Sequence, residues 1–283
     1  MNNSKKNSQF IVINVDDLGL HPAVFRAAQQ CAAAGTVSSA TILANGKHFQ
    51  DIHSIDGVGY GVHLNILRGS PILDSHDVGT LVNEQGFFTG DYKKLYLKYL
   101  FGRIQLNQVF AEWDAQIAKV KESGFTVTHL DSEKHVHCWP ALMEIACSLA
   151  TRHGIRWVRR PTQRLLMSDF LSPKLLLLNA WAAQHRPVAN TQWPNSVWGI
   201  ADQGKKLRVE SLLKYLKANR GAHVIELCCH PGIPLKSDPP LPKEFGNLFI
   251  NQCWEAEASM LLQGDIASQL QEEGWTISNY GKI

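Results

Sequence analysis

Several features are scarce in this 283-residue chain, and each scarcity excludes a class of protein. Charged residues make up only 19%, with 28 Lys plus Arg against 25 Asp plus Glu. A net charge of +3 with no basic block excludes a general nucleic-acid binder, which needs a concentrated basic face. Six cysteines (Cys31, Cys138, Cys147, Cys228, Cys229, Cys253) are scattered without a C-x-x-C pair. That spacing argues against thiolate metal sites and a disulfide framework, and predicts reduced thiols filling core volume. Long apolar runs are missing too: the Leu-rich stretch 165–183 is broken by Asp169, Pro173 and Lys174, so no membrane partner is expected. Met1 to Gln9 is polar and lysine-containing, and the apolar run after it is too short for a signal peptide. The expected location is the cytoplasm. No G-x-S-x-G elbow, Walker loop or G-x-G-x-x-G fingerprint is present.

What remains is an ordinary globular composition, 45% hydrophobic, in a length that one α/β barrel of about 250 residues would nearly fill. Phe10–Val15 is β-branched and almost wholly apolar, the pattern of a strand covered on both faces. Further strand-like runs lie near Thr36–Leu43, Gly59–Leu64, Thr126–Leu130, Ile155–Val158, Val224–Cys228 and Thr276–Ser278. Helical patterns lie near Pro22–Ala34, Gln105–Ser123, Pro140–His153, Leu207–Ala218 and Cys253–Glu273. Alternation of this kind predicts about seven parallel strands in a (β/α) barrel-like fold. Residues 1–9 read as a flexible tail and 10–283 as one domain, with long loops at Arg68–Tyr92 and Pro231–Pro242.

The chemistry gathers where strands end, the place parallel α/β folds reserve for sites. Asp16-Asp17 follows the first strand. Adjacent carboxylates repel, and a cation neutralising one leaves the other available as a base; a helix cap for the stretch beginning at Pro22 is the alternative. His63 ends a second run, and His230 precedes a Pro-Gly turn after a third. Thr128–His137 is the strongest local signal. If it is extended throughout, His129, Asp131, Glu133, His135 and His137 share one face as metal ligands or acid–base groups. Imidazole with carboxylate suits Zn²⁺, Mn²⁺, Fe²⁺ or Co²⁺ in a hydrolytic site, and Mg²⁺ where carboxylates dominate. Trp139, Trp193, Trp198 and Trp254 are candidate sugar-stacking faces, with the Trp193-Pro194-Asn195 loop foremost.

These segments in this order resemble the YdjC-type carbohydrate deacetylases (chitooligosaccharide and hopanoid-associated deacetylases). The resemblance is carried by Asn14–Leu20, Gly35–Thr41, Gly61–Asn65, Thr128–Pro140 and Glu226–Gly232. It implies a barrel-like fold, a divalent metal (Mg²⁺ first, with Zn²⁺, Mn²⁺ or Co²⁺ as alternatives), an N-acetylated amino sugar as substrate, and a homodimer. By position, Asp16 is implied as general base, Asp17 and His63 as metal ligands, and His230 as acid or oxyanion partner. The family pattern D-S-H-x-H-x-H departs here, because Glu133 stands at its first His. Glu133 is thus a substitute ligand favouring a harder ion, with His135, His137 and Asp131 as substrate contacts or alternative ligands. A phosphoester hydrolase and a sugar-binding protein impaired by Glu133 are the competing readings.

Overall fold

A computed structural model describes residues 8–165, 172–186, 188, 190–245 and 253–283. Part of the Leu-rich stretch, Asp169 included, and most of the N-terminal tail therefore lie outside the described residues. In chain order the strands are β1 Gln9–Leu18, β2 Ser39–Ile42, β3 Gly59–Leu64, β4 Val127–Ser132, β5 Trp157–Val158, β6 Ser196–Trp198, β7 Val224–Cys229 and β8 Trp275–Ile277. The helices are α1 Pro22–Ala33, α2 Tyr92–Leu100, α3 Leu106–Glu122, α4 Pro140–His153, α5 Pro173–Gln184, α6 Val209–Ala218, α7 Trp254–Leu261 and α8 Ile266–Glu272.

All strand pairs are parallel, in the order β5-β4-β3-β2-β1-β7-β6, with β8 beside the first residues of β1. The sheet curls into a barrel-like wall. Its open edges approach each other through a Trp157–Gln192 bridge and a hydrogen bond from the Val197 amide to the Thr162 carbonyl. The expected α/β architecture is therefore present: among the described residues seven parallel strands form the curled wall, and short β8 pairs beside the start of β1. No helix is long and apolar enough, among the described residues, to cross a membrane.

Alternation along the strands sorts the side chains into two environments. Ile11, Ile13 and Val15 of β1 and Ile225 and Leu227 of β7 join the main core under the helices. Inside the barrel the contents are layered. Val12, Trp157, Val224 and Tyr280 form a small apolar plug at the amino ends of the strands. Above it lie Asn14, His129, Arg159 and Glu226, all buried, and then the residues at the carboxyl ends.

Several elements depart from the sequence expectation. The helical stretch 253–273 divides into α7 and α8, and α2, α5 and β6 were not anticipated. Three-residue β6 is too short to show a period, and α5 is apolar on nearly every face, so neither carries a clear pattern. Of the anticipated helices, α4 runs over the expected residues and ends on left-handed Gly154.

Candidate active site

Strand β1 does not stop at its apolar run but continues through both aspartates. Its register against β2 shifts between Val15 and Leu18, and Asp17 is left-handed with φ 64°. A bulge of this kind re-aims a side chain. Asp16 consequently stays inside the barrel, whereas Asp17 turns toward β3. The cap of α1 is His21, whose Nδ1 accepts from the Ala23 amide, so Asp17 is released from the capping alternative.

Strand β3 brings His63 to the same place. His63 Nε2 lies 3.4 Å from Asp17 Oδ1 and 3.8 Å from Glu133 Oε2. Its Nδ1 is 2.7 Å from Asp131 Oδ1 on the neighbouring strand β4. Gly61 permits this strand contact: a Cβ there would sit 2.6 Å from the His129 ring.

The five-residue face expected from Thr128–His137 is broken. After Ser132 the chain enters a tight 3-10 turn, Glu133–Cys138, with Lys134 (φ 52°) and His135 (φ 56°) left-handed. Alternation holds for His129 and Asp131 and ends there. His129 sits deep, 3.0 Å from Asn14 Oδ1, and burial pushes its pKa down to about 3. His137 turns away: its ring nitrogens face Ser132 Oγ (2.5 Å) and the Arg159 carbonyl (2.7 Å). It is not brought to the site. Glu133 is, its other oxygen held by Arg68 Nε at 3.2 Å.

Asp16, the expected base, is held by an arginine that the sequence does not point to. Arg159, at the end of β5, donates to both its oxygens, Nη1 to Oδ2 at 2.7 Å and Nη2 to Oδ1 at 2.6 Å. The same guanidinium lies 2.7 Å from Asp131 Oδ2 and donates to Glu226 Oε1. Tyr280 donates to the far oxygen of Glu226 at 2.6 Å. Burial opposes ionisation of Asp16, but Arg159 prevails and holds it well below the usual carboxylate range. Burial likewise works against a charged His63, and Asp131 with the other nearby carboxylates lifts it well above the usual value. Asp17 has no arginine partner among the described residues, and His63 and Lys134 only partly offset what raises it. Burial first, then Glu133, push it up to about 7.

Three buried groups bring their donor atoms within 4.8 Å of one another among the described residues: Asp17–His63–Glu133, Asp16–His63–Asp131 and Asp16–Cys228–His230. Only the first is free of Arg159. Its donor separations match neighbouring ligands at bond lengths of about 2.0–2.2 Å. His63 also shows the supporting bond of a metal-bound imidazole, its second nitrogen on a carboxylate. The donor set fits a divalent cation.

Around it, Asp16, Asp17, His63, Ser132, Glu133, Lys134, His135, Lys174, Gln203 and His230 line a pocket of about 20 Å³. His230 Nε2 is 3.7 Å from Asp16 Oδ2, and its backbone amide donates to Glu257 at 2.5 Å. The Nδ1 atoms of His230 and His135 are buried without a hydrogen-bond partner among the described residues, that of His230 lying 3.9 Å from Glu257 Oε2. Burial pushes His230 down to about 3.

Arg159, Arg68 and Lys174 were not anticipated from the sequence. Lone basic residues in variable contexts carry no local signal, although Arg159 does stand one residue past a strand, where ligands were sought. The tryptophan expectation is also corrected. Trp139, Trp198 and Trp254 are core, and the Trp193 ring is covered by the Arg160 guanidinium at 4.6 Å. Trp181 of α5, itself buried, borders a separate cavity of about 390 Å³ together with Tyr92, Lys134, Lys174, Leu177 and Leu178.

A family model described as YdjC-like protein matches residues 10–272. A carbohydrate deacetylase of Danio rerio is 28% identical over 224 residues, covering 74% of this chain and 70% of its own. One of Mus musculus is 26% identical over 250 residues, covering 81% and 79%. One of Halalkalibacterium halodurans is 33% identical over 149 residues, covering 51% and 61%. Among solved structures, an Enterococcus faecalis V583 protein named for cellobiose-phosphate cleavage has a TM-score of 0.72 at 23% identity, covering 97% of this chain and 98% of that one. That likeness bears on the fold alone.

Proposed function

We propose that this chain, which belongs to the YdjC-like protein family, hydrolyses the N-acetyl group of an amino sugar or oligosaccharide with the help of a divalent metal. The observation that carries the proposal is the convergence of Asp17, His63 and Glu133 beside a separately anchored Asp16. Similar proteins named carbohydrate deacetylase supply the substrate class.

Asp17, His63 and Glu133 would hold the ion; two carboxylates to one imidazole favour Mg²⁺ ahead of Zn²⁺, Mn²⁺ or Co²⁺. When bound, it supplies carbonyl polarisation and a more acidic water. Asp131 fixes the His63 ring so that Nε2 faces outward. Arg159 fixes both oxygens of Asp16 and keeps it ionised, ready to accept the water's proton. His230, kept neutral by burial, faces the acyl end as its polar partner. The whole of 10–283 acts as one catalytic domain.

Glu133 is a working ligand in this proposal, because Arg68 clamps one oxygen and leaves the other toward His63. Such an arrangement does not suit an impaired relic. The test is metal analysis with acetate release from N-acetylated oligosaccharides supplied with Mg²⁺, Mn²⁺, Co²⁺ or Zn²⁺. Release abolished by chelation and restored by an ion is the expected result. Asp17→Asn should lose the ion along with the activity, whereas Asp16→Asn should keep the ion and lose rate by about 10²–10⁴-fold. Turnover indifferent to chelator, or phosphoester hydrolysis in its place, would overturn the assignment.

A further inference from the structure

Glu133 reaches the candidate site with only one of its two oxygens. Oε2 lies 3.8 Å from His63 Nε2, whereas Oε1 accepts from Arg68 Nε at 3.2 Å. Both side chains are buried. Arg68 is in turn built in from several sides. Its Nη1 donates to the Phe245 carbonyl at 2.5 Å and to that of Gly90 at 3.4 Å. Its backbone is gripped as well: Asn65 Oδ1 accepts from the Arg68 amide, and the side-chain amides of Asn65 and Asn45 both donate to the Arg68 carbonyl. The guanidinium is thus fixed by groups other than Glu133, and the carboxylate takes its orientation from it.

This grip limits what Glu133 can offer. A free carboxylate binds a cation through one oxygen or both. Two-oxygen binding suits a large ion such as Ca²⁺, with ligands at about 2.3–2.6 Å, better than Mg²⁺ at about 2.0–2.1 Å. With Oε1 on Arg68, Glu133 is a one-oxygen donor. The guanidinium also cancels the charge that a second carboxylate adds beside Asp17. Together the pair is neutral and offers a single donor atom, as an imidazole does.

We infer that Arg68 is a positioning residue that sets the ion preference of the site, by confining Glu133 to one oxygen and compensating its charge. The inference rests on Asp17, His63 and Glu133 being ligands, as proposed above. A purely structural anchor for the segments carrying Gly90 and Phe245 predicts something different: lost stability with the ion preference unchanged.

The test is titration calorimetry of the full chain with Mg²⁺, Mn²⁺, Zn²⁺ and Ca²⁺, with urea midpoints recorded alongside. Wild type should bind Mg²⁺ and Mn²⁺ ahead of Ca²⁺. In Arg68→Met, which frees Oε1, the ratio of Mn²⁺ to Ca²⁺ affinity should fall by about tenfold or more, the scale on which residues supporting metal ligands act. Glu133→His sets an unpaired buried guanidinium beside the new imidazole and should weaken Mn²⁺ binding by about 10–100-fold. Arg68→Met/Glu133→His removes both charges and should recover most of that loss, with preference moving toward Zn²⁺ as nitrogen replaces oxygen. A wild type preferring Ca²⁺, an unchanged ratio in Arg68→Met, or equal Mn²⁺ affinity in Glu133→His and the double variant would overturn the role of Arg68 alone. The last comparison decides if Arg68→Met fails to fold, since the double variant leaves no unpaired carboxylate at position 133. A wild type that binds none of the four ions, or Asp17→Asn that binds them as well as wild type, would overturn the metal assignment and this inference together.

Discussion

At the scale of single residues, Arg159 decides more than any other. One guanidinium, fully buried, serves Asp16, Asp131 and Glu226, and through Asp131 it reaches His63. Asp16 and the His63–Asp131 pair are thus tied to a single cation. Its planar fork can satisfy these partners at once, which the point charge of lysine cannot. Removing it leaves three buried carboxylates around an empty space. Arg159→Met should therefore lose roughly 3–5 kcal/mol of stability, read as a lower urea midpoint. An unchanged midpoint would mean that the carboxylates have another counterion.

At the scale of elements, placement depends on how closely β3 and β4 approach. His63 and Asp131 are register partners on these strands, as are Gly61 and His129. Any side chain at Gly61 must push the His129 ring, which is pinned by Asn14 and packed on Tyr280. Gly61→Ala should cost about 1–3 kcal/mol by overpacking. It should also weaken metal binding, measured by titration calorimetry, because His63 loses its register against Asp131. Full metal affinity in a folded Gly61→Ala protein would show that the strand spacing does not set the site. The turn after β4 acts at the same scale. Two left-handed non-glycine residues in succession follow Glu133, which faces His63, while His137 is turned away. Strain of this kind concentrates at functional sites.

At the scale of the whole molecule, the barrel interior is polar and buried, and this sets the response to pH. His129 and His137 are buried and neutral, each with a native pKa near 3 against an unfolded value of 6.5. A histidine with a depressed native pKa stabilises fully above its unfolded value, and that contribution is lost as pH falls. Between about 6.5 and 3 the unfolded chain binds protons that the native barrel refuses, about 1.4 kcal/mol per pH unit for each ring. Stability measured by urea should drop as pH is lowered from 7 to 5. His137→Gln should flatten that slope while lowering stability at pH 7, since its two hydrogen bonds are disturbed. A slope equal to the wild type's would mean that His137 is protonated in the native state.

The division between what was legible and what was not follows from the range of the forces involved. Local sequence carries backbone preference and strand burial. The β-branched run before Asp16-Asp17, the strand ending at His63, the run ending before His230 and the boundaries of α4 were readable for that reason. Their arrival at one end of the barrel follows from parallel topology, because every such strand ends on the same side. The partners of those carboxylates are another matter. Arg159 meets Asp16 across 143 residues and Arg68 meets Glu133 across 65, through pairings that depend on curvature of the sheet and the course of a loop. Charge neutralisation in a buried interior is a property of the enclosed volume. The sequence therefore determined which side chains stand at the strand ends, and only the closed tertiary structure decided which carboxylate is paired with Arg159 and which is left facing His63.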